Sequence, residues 1–234
     1  MIMKKIFVYL MALLGTVTAV ALEPQRYVLD VKDFAEVKVV DGINVDWRCN
    51  ADSAGMIVFE TTPDKASLIM AENNKNTLKL QLATTEVPVR DLPTLTVYSN
   101  FLSKAENSGD STLNIMTPPP SAEVQVRIIG NGTIIARGLH ATTVQAKIDS
   151  GQGHIMLQGL TQWLKIRNVG SGTIEAGGLK SENASITMGG TGNIDCWVTE
   201  ELTVKGLASG TVYCKGNPTV KNRTLGTVKV VNVD

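Results

Sequence analysis

The sequence predicts an all-β fold: a right-handed single-stranded β-helix, or β-solenoid, with coils of about 20 residues and an irregular N-terminal capping portion. Three observations carry this expectation. A short phrase recurs, as Gly130-Asn131-Gly132-Thr133-Ile134, Gly151-Gln152-Gly153-His154-Ile155, Gly170-Ser171-Gly172-Thr173-Ile174 and Gly190-Thr191-Gly192-Asn193-Ile194. It decays to Ser209-Gly210-Thr211 and Leu225-Gly226-Thr227, and its second glycines are spaced by 21, 19, 20, 18 and 16 residues. Apolar residues alternate with polar ones on both sides of each phrase, the period of a half-buried strand.

Residues 1–21 read as a cleaved signal peptide. Lys4 and Lys5 precede the apolar run Ile6–Val17, and Ala19-Val20-Ala21 is a small-x-small cleavage site. The competing reading is a membrane anchor, for which the run is short. No later stretch is long enough to span a bilayer. Lysines and arginines number 22, as do aspartates and glutamates. Losing Lys4 and Lys5 with the leader leaves a small negative excess, which is no footprint for nucleic acid or anionic lipid.

Residues 22–100 form irregular β coils. Val37-x-Val39 leads through Asp41-Gly42 to Ile43-x-Val45-x-Trp47, again strand, glycine corner, strand. Met56–Glu60, Thr77–Leu82 and Leu95–Tyr98 read as strands, and Lys65–Ala71 as a short helix with Pro63 in its first turn. Asn73–Asn76 reads as a turn. Ser108-Gly109-Asp110-Ser111 approximates the corner phrase, and Pro118-Pro119-Pro120 closes a long exposed loop. Residues 101–234 carry the regular coils, continuous with the preceding portion as one domain.

Two residues after the second glycine stand Ile134, Ile155, Ile174, Ile194, Val212 and Val228, and two further on Ala136, Leu157, Ala176, Cys196, Cys214 and Val230. Both columns point inward. Between them lie Ile135, Met156, Glu175, Asp195, Tyr213 and Lys229, facing out. The strand before the glycine repeats as Val124-x-Val126-x-Ile128, Val144-x-Ala146-x-Ile148 and Ala184-x-Ile186-x-Met188, its last inward column broken by Asn168 and Gly206. A second corner falls at Gly138-Leu139, Gly159-Leu160 and Gly178-Leu179. Gly132, Gly153, Gly172, Gly192 and Gly210 are expected at corners because a sharp corner often needs positive φ and stacked coils bring backbones close. A phosphate-binding loop is excluded, because it must open a helix. A calcium nonapeptide repeat is disfavoured by Ile194, where an aspartate is needed, and by the period.

The segment Val37–Val45, with Asp41-Gly42-Ile43-Asn44 at its centre, resembles the head GIN domain family of putative auto-transporter adhesins, which are exported proteins of Bacteroidetes. The phrase Ser150-Gly151-Gln152-Gly153-His154-Ile155 is similar to that family as well. The resemblance implies a β-helix-like fold and an envelope or surface location. It carries over no catalytic residue, and Gly42, Ile43 and Asn44 read as a corner and its first core residue. The repeats run to Val233, so a C-terminal membrane barrel is not expected.

Chemistry is sparse. His140 and His154 occupy different coil positions and neither has metal-ligand spacing, so no metal or cofactor is expected. Glu175 and Asp195 stack in adjacent coils as the best acidic candidates, with His154 in the neighbouring outward column. A pair on a flat face is usually solvated, whereas a β-helical lyase or hydrolase needs carboxylates converging in a groove. Cys196 and Cys214 share an inward column, as two buried thiols or a disulfide. Asp52-Ser53-Ala54 and Asp110-Ser111-Thr112 resemble short O-glycan acceptors. Trp47, Trp163 and Trp197 are scattered. Three functions remain: a non-enzymatic exported adhesin or envelope-interaction module binding a cell-surface protein or glycan or another copy of itself, a β-helical carbohydrate-active enzyme, and a structural envelope protein without external ligand. Export leads to the periplasm, the outer-membrane surface or the extracellular space.

Overall fold

A strand only a few residues long between corners cannot satisfy its own backbone, so each turn must hydrogen-bond to the turns on either side. The computed structural model, which describes residues 23–83 and 90–233, is such a stack. The expected signal peptide, 1–21, lies outside the described residues. The elements are β1 (Gln25–Asp30), β2 (Glu36–Val39), β3 (Val45–Cys49), β4 (Met56–Thr61), α1 (Pro63–Ala66), β5 (Ile69–Asn74), β6 (Thr77–Leu82), β7 (Leu95–Ser99), β8 (Lys104–Asn107) and β9 (Thr112–Met116). The regular coils follow as β10 (Ser121–Ile129), β11 (Thr133–Ser150), β12 (His154–Asn168), β13 (Thr173–Met188), β14 (Ile194–Lys215) and β15 (Thr219–Asn232). Among the described residues no helix is long and apolar enough to cross a membrane.

From β10 to β15 every pairing is parallel and joins one turn to the next, with Ile134 beside Ile155, Ile155 beside Ile174 and Ile174 beside Ile194. The two inward columns are buried as the alternation requires, down to the last turn, where Val230 is only partly covered. The second corner differs from expectation. Inward residues are two apart within a side but three apart between Ala136 and Leu139 and again between Ala141 and Val144. In β11 and β13 the coil therefore bends twice there without leaving the ladder and has three short sides, whereas in β14 the inward steps are two residues from Cys196 to Val198 and four from Val198 to Leu202. Gly159-Leu160 is also displaced by one residue from its neighbours. Gly159 pairs with both Leu139 and Leu179, so it takes the inward position, and Leu160 faces out at 49% exposure.

The N-terminal coils are threaded out of sequence order. The β2–β3 turn lies between the β6–β7 turn and the β8–β9 turn, giving the parallel orders β6-β2-β8 and β7-β3-β9. The GIN corner joins its two neighbours. Asp41 Oδ2 accepts from the Leu82 amide (2.7 Å), and Asn44 Oδ1 accepts from the Thr112 amide (2.9 Å). The Asn44 carbonyl accepts from Leu95 N (2.9 Å), and Ile43 is fully buried. Antiparallel strands close this end: β1 on β4, β4 on β7, and β5 on β6.

Three local expectations are corrected here. The helix expected at Lys65–Ala71 is a single turn, and Ile69–Asn74 is a strand instead. Alternate burial along Ile69–Asn74 and pairing with β6 outweigh local helix propensity. The turn narrows to Lys75-Asn76, both at positive φ (49° and 70°), which suits a two-residue hairpin. The Pro118–Pro120 segment is short, and Pro118 is buried. It makes the bend that Arg137-Gly138 makes in the next coil, with Thr117 N donating to Arg137 O (2.9 Å).

The repeated second glycines are selected by close contact between turns. From Gly132 to Gly210 none has a positive φ. A Cβ on Gly172 would strike the carbonyl oxygen of Gly153, and one on Gly192 that of Gly172. At Gly132, Gly172, Gly192 and Gly210 backbone contact between turns, and not turn conformation, excludes a side chain, and at Gly153 the Ile128 side chain stands nearest. Buried amides brace the same corner from inside: Asn107 Nδ2 donates to Ser111 O (2.7 Å) and Asn168 Nδ2 to Gly172 O (2.8 Å). Asn168 thus continues its inward column as a brace. Gly42 is different, because a Cβ there meets nothing within 4 Å.

Gly172→Ala should cost about 2–3 kcal/mol in urea unfolding, as overpacking against rigid backbone does. Gly42→Ala should stay within about 0.5 kcal/mol. Equal losses would show that conformation, and not contact, selects the repeated glycines. Asn44→Ala should cost about 1 kcal/mol by freeing the Thr112 amide, measured by the same unfolding curves.

Candidate functional site

Ile174 and Ala176 point inward, so Glu175 must point out, and the same alternation places Asp195 outward on the next turn. The two are register partners. His154 stands one column over, between Thr133 and Thr173. Its Nε2 lies 3.2 Å from Glu175 Oε1, an electrostatic contact that strengthens when the imidazole is protonated. The three residues expected to share a surface therefore do so. Burial, and then the neighbouring Glu175 charge, push the Asp195 carboxyl above its ordinary range.

Asp195 borders a shallow depression of about 430 Å³ with Tyr213 and Lys215. Lys215 Nζ rests 4.4 Å from the centre of the Trp197 ring, and Lys180 Nζ 5.5 Å from it. Both cations are thereby drawn towards the indole. Glu175 and Asp195 project side by side from one face, and the depression beside Asp195 is shallow and open. Among the described residues no three His, Cys, Asp or Glu side chains gather closely enough to hold a metal ion.

Cys196 and Cys214 meet in the inward column as free thiols. The hydrogen bond with Cys214, and then burial, push the Cys196 thiol up, so it stays protonated. Ser111 is buried, with its hydroxyl donating to Asp41 O (3.3 Å), so glycan attachment there is incompatible with the folded corner. Ser53 is half-buried in a turn held by Asn50 Oδ1. Trp47 is in the core, donating through Nε1 to Ser99 Oγ (2.8 Å), and cannot touch a ligand.

Sequence reasoning missed a groove of about 450 Å³ along the double bend. His140, Leu160 and Lys180 stand in one outward row there, with Thr142, Gln162 and Glu182 beside them. The bend itself is braced by buried hydroxyls: Thr161 Oγ1 donates to Thr142 O (3.2 Å) and Ser181 Oγ to Trp197 O (2.8 Å). The available signal was the three-residue step between inward positions, which places two consecutive residues outside at each bend.

Residues 33–218 match the sequence profile of the family described as "Putative auto-transporter adhesin, head GIN domain". Comparison with curated proteins gives no match. Among solved structures the chain is similar to a putative adhesin from Bacteroides fragilis, with 21% identity, TM-score 0.81, and coverage of 91% of this chain and 98% of that one. It is similar to a putative lipid binding protein from Parabacteroides distasonis, with 17% identity, TM-score 0.72, and coverage of 91% and 97%. A putative adhesin from Parabacteroides merdae follows at 17% identity and TM-score 0.66, with coverage of 91% and 97%. At these identities the likeness shows the fold.

Because the folded state holds the Asp195 proton more tightly than the unfolded chain, stability falls as pH rises through the carboxylate range and then levels off. Asp195→Asn should therefore stabilise the protein at pH 7, by less than about 1 kcal/mol for a partly solvated group. The gain should vanish below pH 3.8, the ordinary value for aspartate. Melting temperatures of both proteins across pH 3–8 test this, and a gain that persists in acid would remove the electrostatic cause.

Proposed function

This chain belongs to the head GIN domain family of putative auto-transporter adhesins, and on that footing we propose that it is an exported, non-enzymatic interaction module of the cell envelope. Its partner is a protein or glycan of the cell surface, held on the outward columns of the middle coils. The observation that carries this reading is the open groove along the double bend, where exposed Leu160 stands among His140, Lys180 and short polar side chains on a rigid ladder. Apolar surface beside fixed polar groups is what a binding face offers. The family name and the adhesin-named relatives agree with it.

A second reading is favoured by one observation. Asp195 is a carboxyl with a raised proton affinity next to Glu175 and a depression, which is half of what a β-helical glycoside hydrolase requires. The open, one-sided placement of the pair weighs against it.

A glycan array and a panel of polysaccharide hydrolysis and lyase assays separate the two. The expected result is binding to at least one surface glycan or envelope protein without product release. Release of product from any polysaccharide, abolished in Asp195→Asn, would overturn the non-enzymatic reading. Mass spectrometry of the exported protein should find Leu22 as its first residue, and retention of residues 1–21 would replace export of a cleaved protein by anchoring.

A further inference from the structure

The formal charge of the whole chain is zero, but the ladder does not distribute it evenly. Parallel register places Arg127, Lys147, Arg167, Thr187, Lys205 and Arg223 in one outward column, one residue per turn. Lys165 stands in the adjacent column on the same strand as Arg167. At the N-terminal end the chain neutralises this stripe itself. Glu106, with its side chain only 5% exposed, lies 2.8 Å from Lys38 Nζ and 3.1 Å from Arg127 Nη1. Asp149 Oδ2 accepts from Arg127 Nε (2.6 Å). Towards the last turn Glu201 pairs with Lys221 (2.6 Å).

Between those ends the pattern changes. Lys147, Lys165, Arg167 and Lys205 surround a shallow depression of about 330 Å³, with the hydroxyls of Ser185 and Thr187 between them and no carboxylate in its lining. Among the described residues none of the four cations has an ion-pair partner. Like charges opposite one another weaken a ladder, and Lys147 and Arg167 are direct register partners, with Thr187 between Arg167 and Lys205. The same strand carries Trp163, at alternate positions with Lys165 and Arg167 and 49% exposed.

We propose that this face binds a linear acidic polysaccharide, its carboxylate or sulfate groups paired with Lys147, Lys165, Arg167 and Lys205 and one sugar ring packed on Trp163. The proposal rests on the interaction-module reading above and adds to its groove a second, charged face with a ligand of its own. A polymer with a negative group on successive sugars matches cations repeated along the solenoid axis. Lysine and arginine head groups satisfy such anions directly. The indole offers a flat apolar surface to the C–H face of a ring, and the serine and threonine hydroxyls meet sugar hydroxyls. Single-stranded nucleic acid is the lesser fit, because successive bases need successive aromatic platforms, and Trp163 is the only exposed aromatic on this face among the described residues.

The test is titration of the protein with polygalacturonate and heparin, with dextran and a DNA oligonucleotide alongside, at 20 and 150 mM salt. One acidic polysaccharide should bind, at least tenfold more weakly at the higher salt, and dextran should not. Lys165→Glu with Arg167→Glu should lower affinity at least tenfold, with thermal stability unchanged or raised. Arg137→Glu, on another side of the coil, should leave affinity unchanged, and Trp163→Ala should weaken the polysaccharide without changing its salt dependence. Failure of both acidic polymers to bind, or binding indifferent to the double charge reversal, overturns the proposal. So does DNA binding that is tighter and indifferent to Trp163→Ala. Depolymerisation of a bound polymer would sink the non-enzymatic reading while leaving this face as its site. Absence of acidic-polymer binding in a protein that still binds other glycans or envelope proteins would sink this face alone.

Discussion

Adjacent turns of this solenoid touch backbone to backbone at the glycine corner, and the rest of the molecule is arranged around that contact. A strand spacing of about 4.8 Å leaves no room for a side chain pointing along the axis. At Gly172, Gly192 and Gly210 the carbonyl of the preceding corner, such as Gly153 O at Gly172, lies where a Cβ would stand, and only glycine fits. With the corners aligned, the register of both flanking sides follows. Isoleucine then falls on isoleucine inside, and Asn107 and Asn168 hold individual corners by donating to backbone carbonyls within the core.

Fixed register also decides what the outside looks like. An outward residue in one turn is forced next to its counterpart in the following turn, whatever their charges. Where like charges meet, the structure shows two outcomes. At Glu106, burial alone would raise the carboxyl, but Lys38, Arg127 and Lys104 together outweigh it and hold the carboxyl below its usual range. Among the described residues no such anion lines the depression at Arg167. On the adjoining side Glu175 is answered by His154, and Asp195 is left with an elevated proton affinity. One geometric rule thus produces a neutralised end, a basic middle and an acidic pair.

The N-terminal portion shows the same constraint without the regular phrase. The Asp41–Asn44 corner does not need its glycine for space, since a Cβ on Gly42 would meet nothing within 4 Å. Asp41 and Asn44 instead tie it to the turns below and above through Leu82 and Thr112. A turn inserted between two later ones needs such ties, because no short connection sets its height in the stack. Antiparallel β1, β4 and β5 then close an edge that would otherwise offer unpaired backbone groups.

Much of this was legible in the amino-acid order alone. A step near twenty residues, the Ile and Ala columns, the outward positions of Glu175, Asp195 and His154, and the strands Thr77–Leu82 and Leu95–Tyr98 all come from local periodicity, which a sequence displays directly. The third side, the displaced Leu160, the strand in place of a helix at Ile69–Asn74 and the basic column were not legible in the same way. The bends that make the third side keep the ladder intact and need no fixed residue type. The Ile69–Asn74 strand depends on β6, and the Lys147–Arg167–Lys205 column on register across four turns. The order β6-β2-β8 places residues about 70 positions apart side by side, a pairing set by which edges remained free to bond. Local sequence therefore determined the shape of a single turn, and only the tertiary structure decided which turns are neighbours and so which charges share a face.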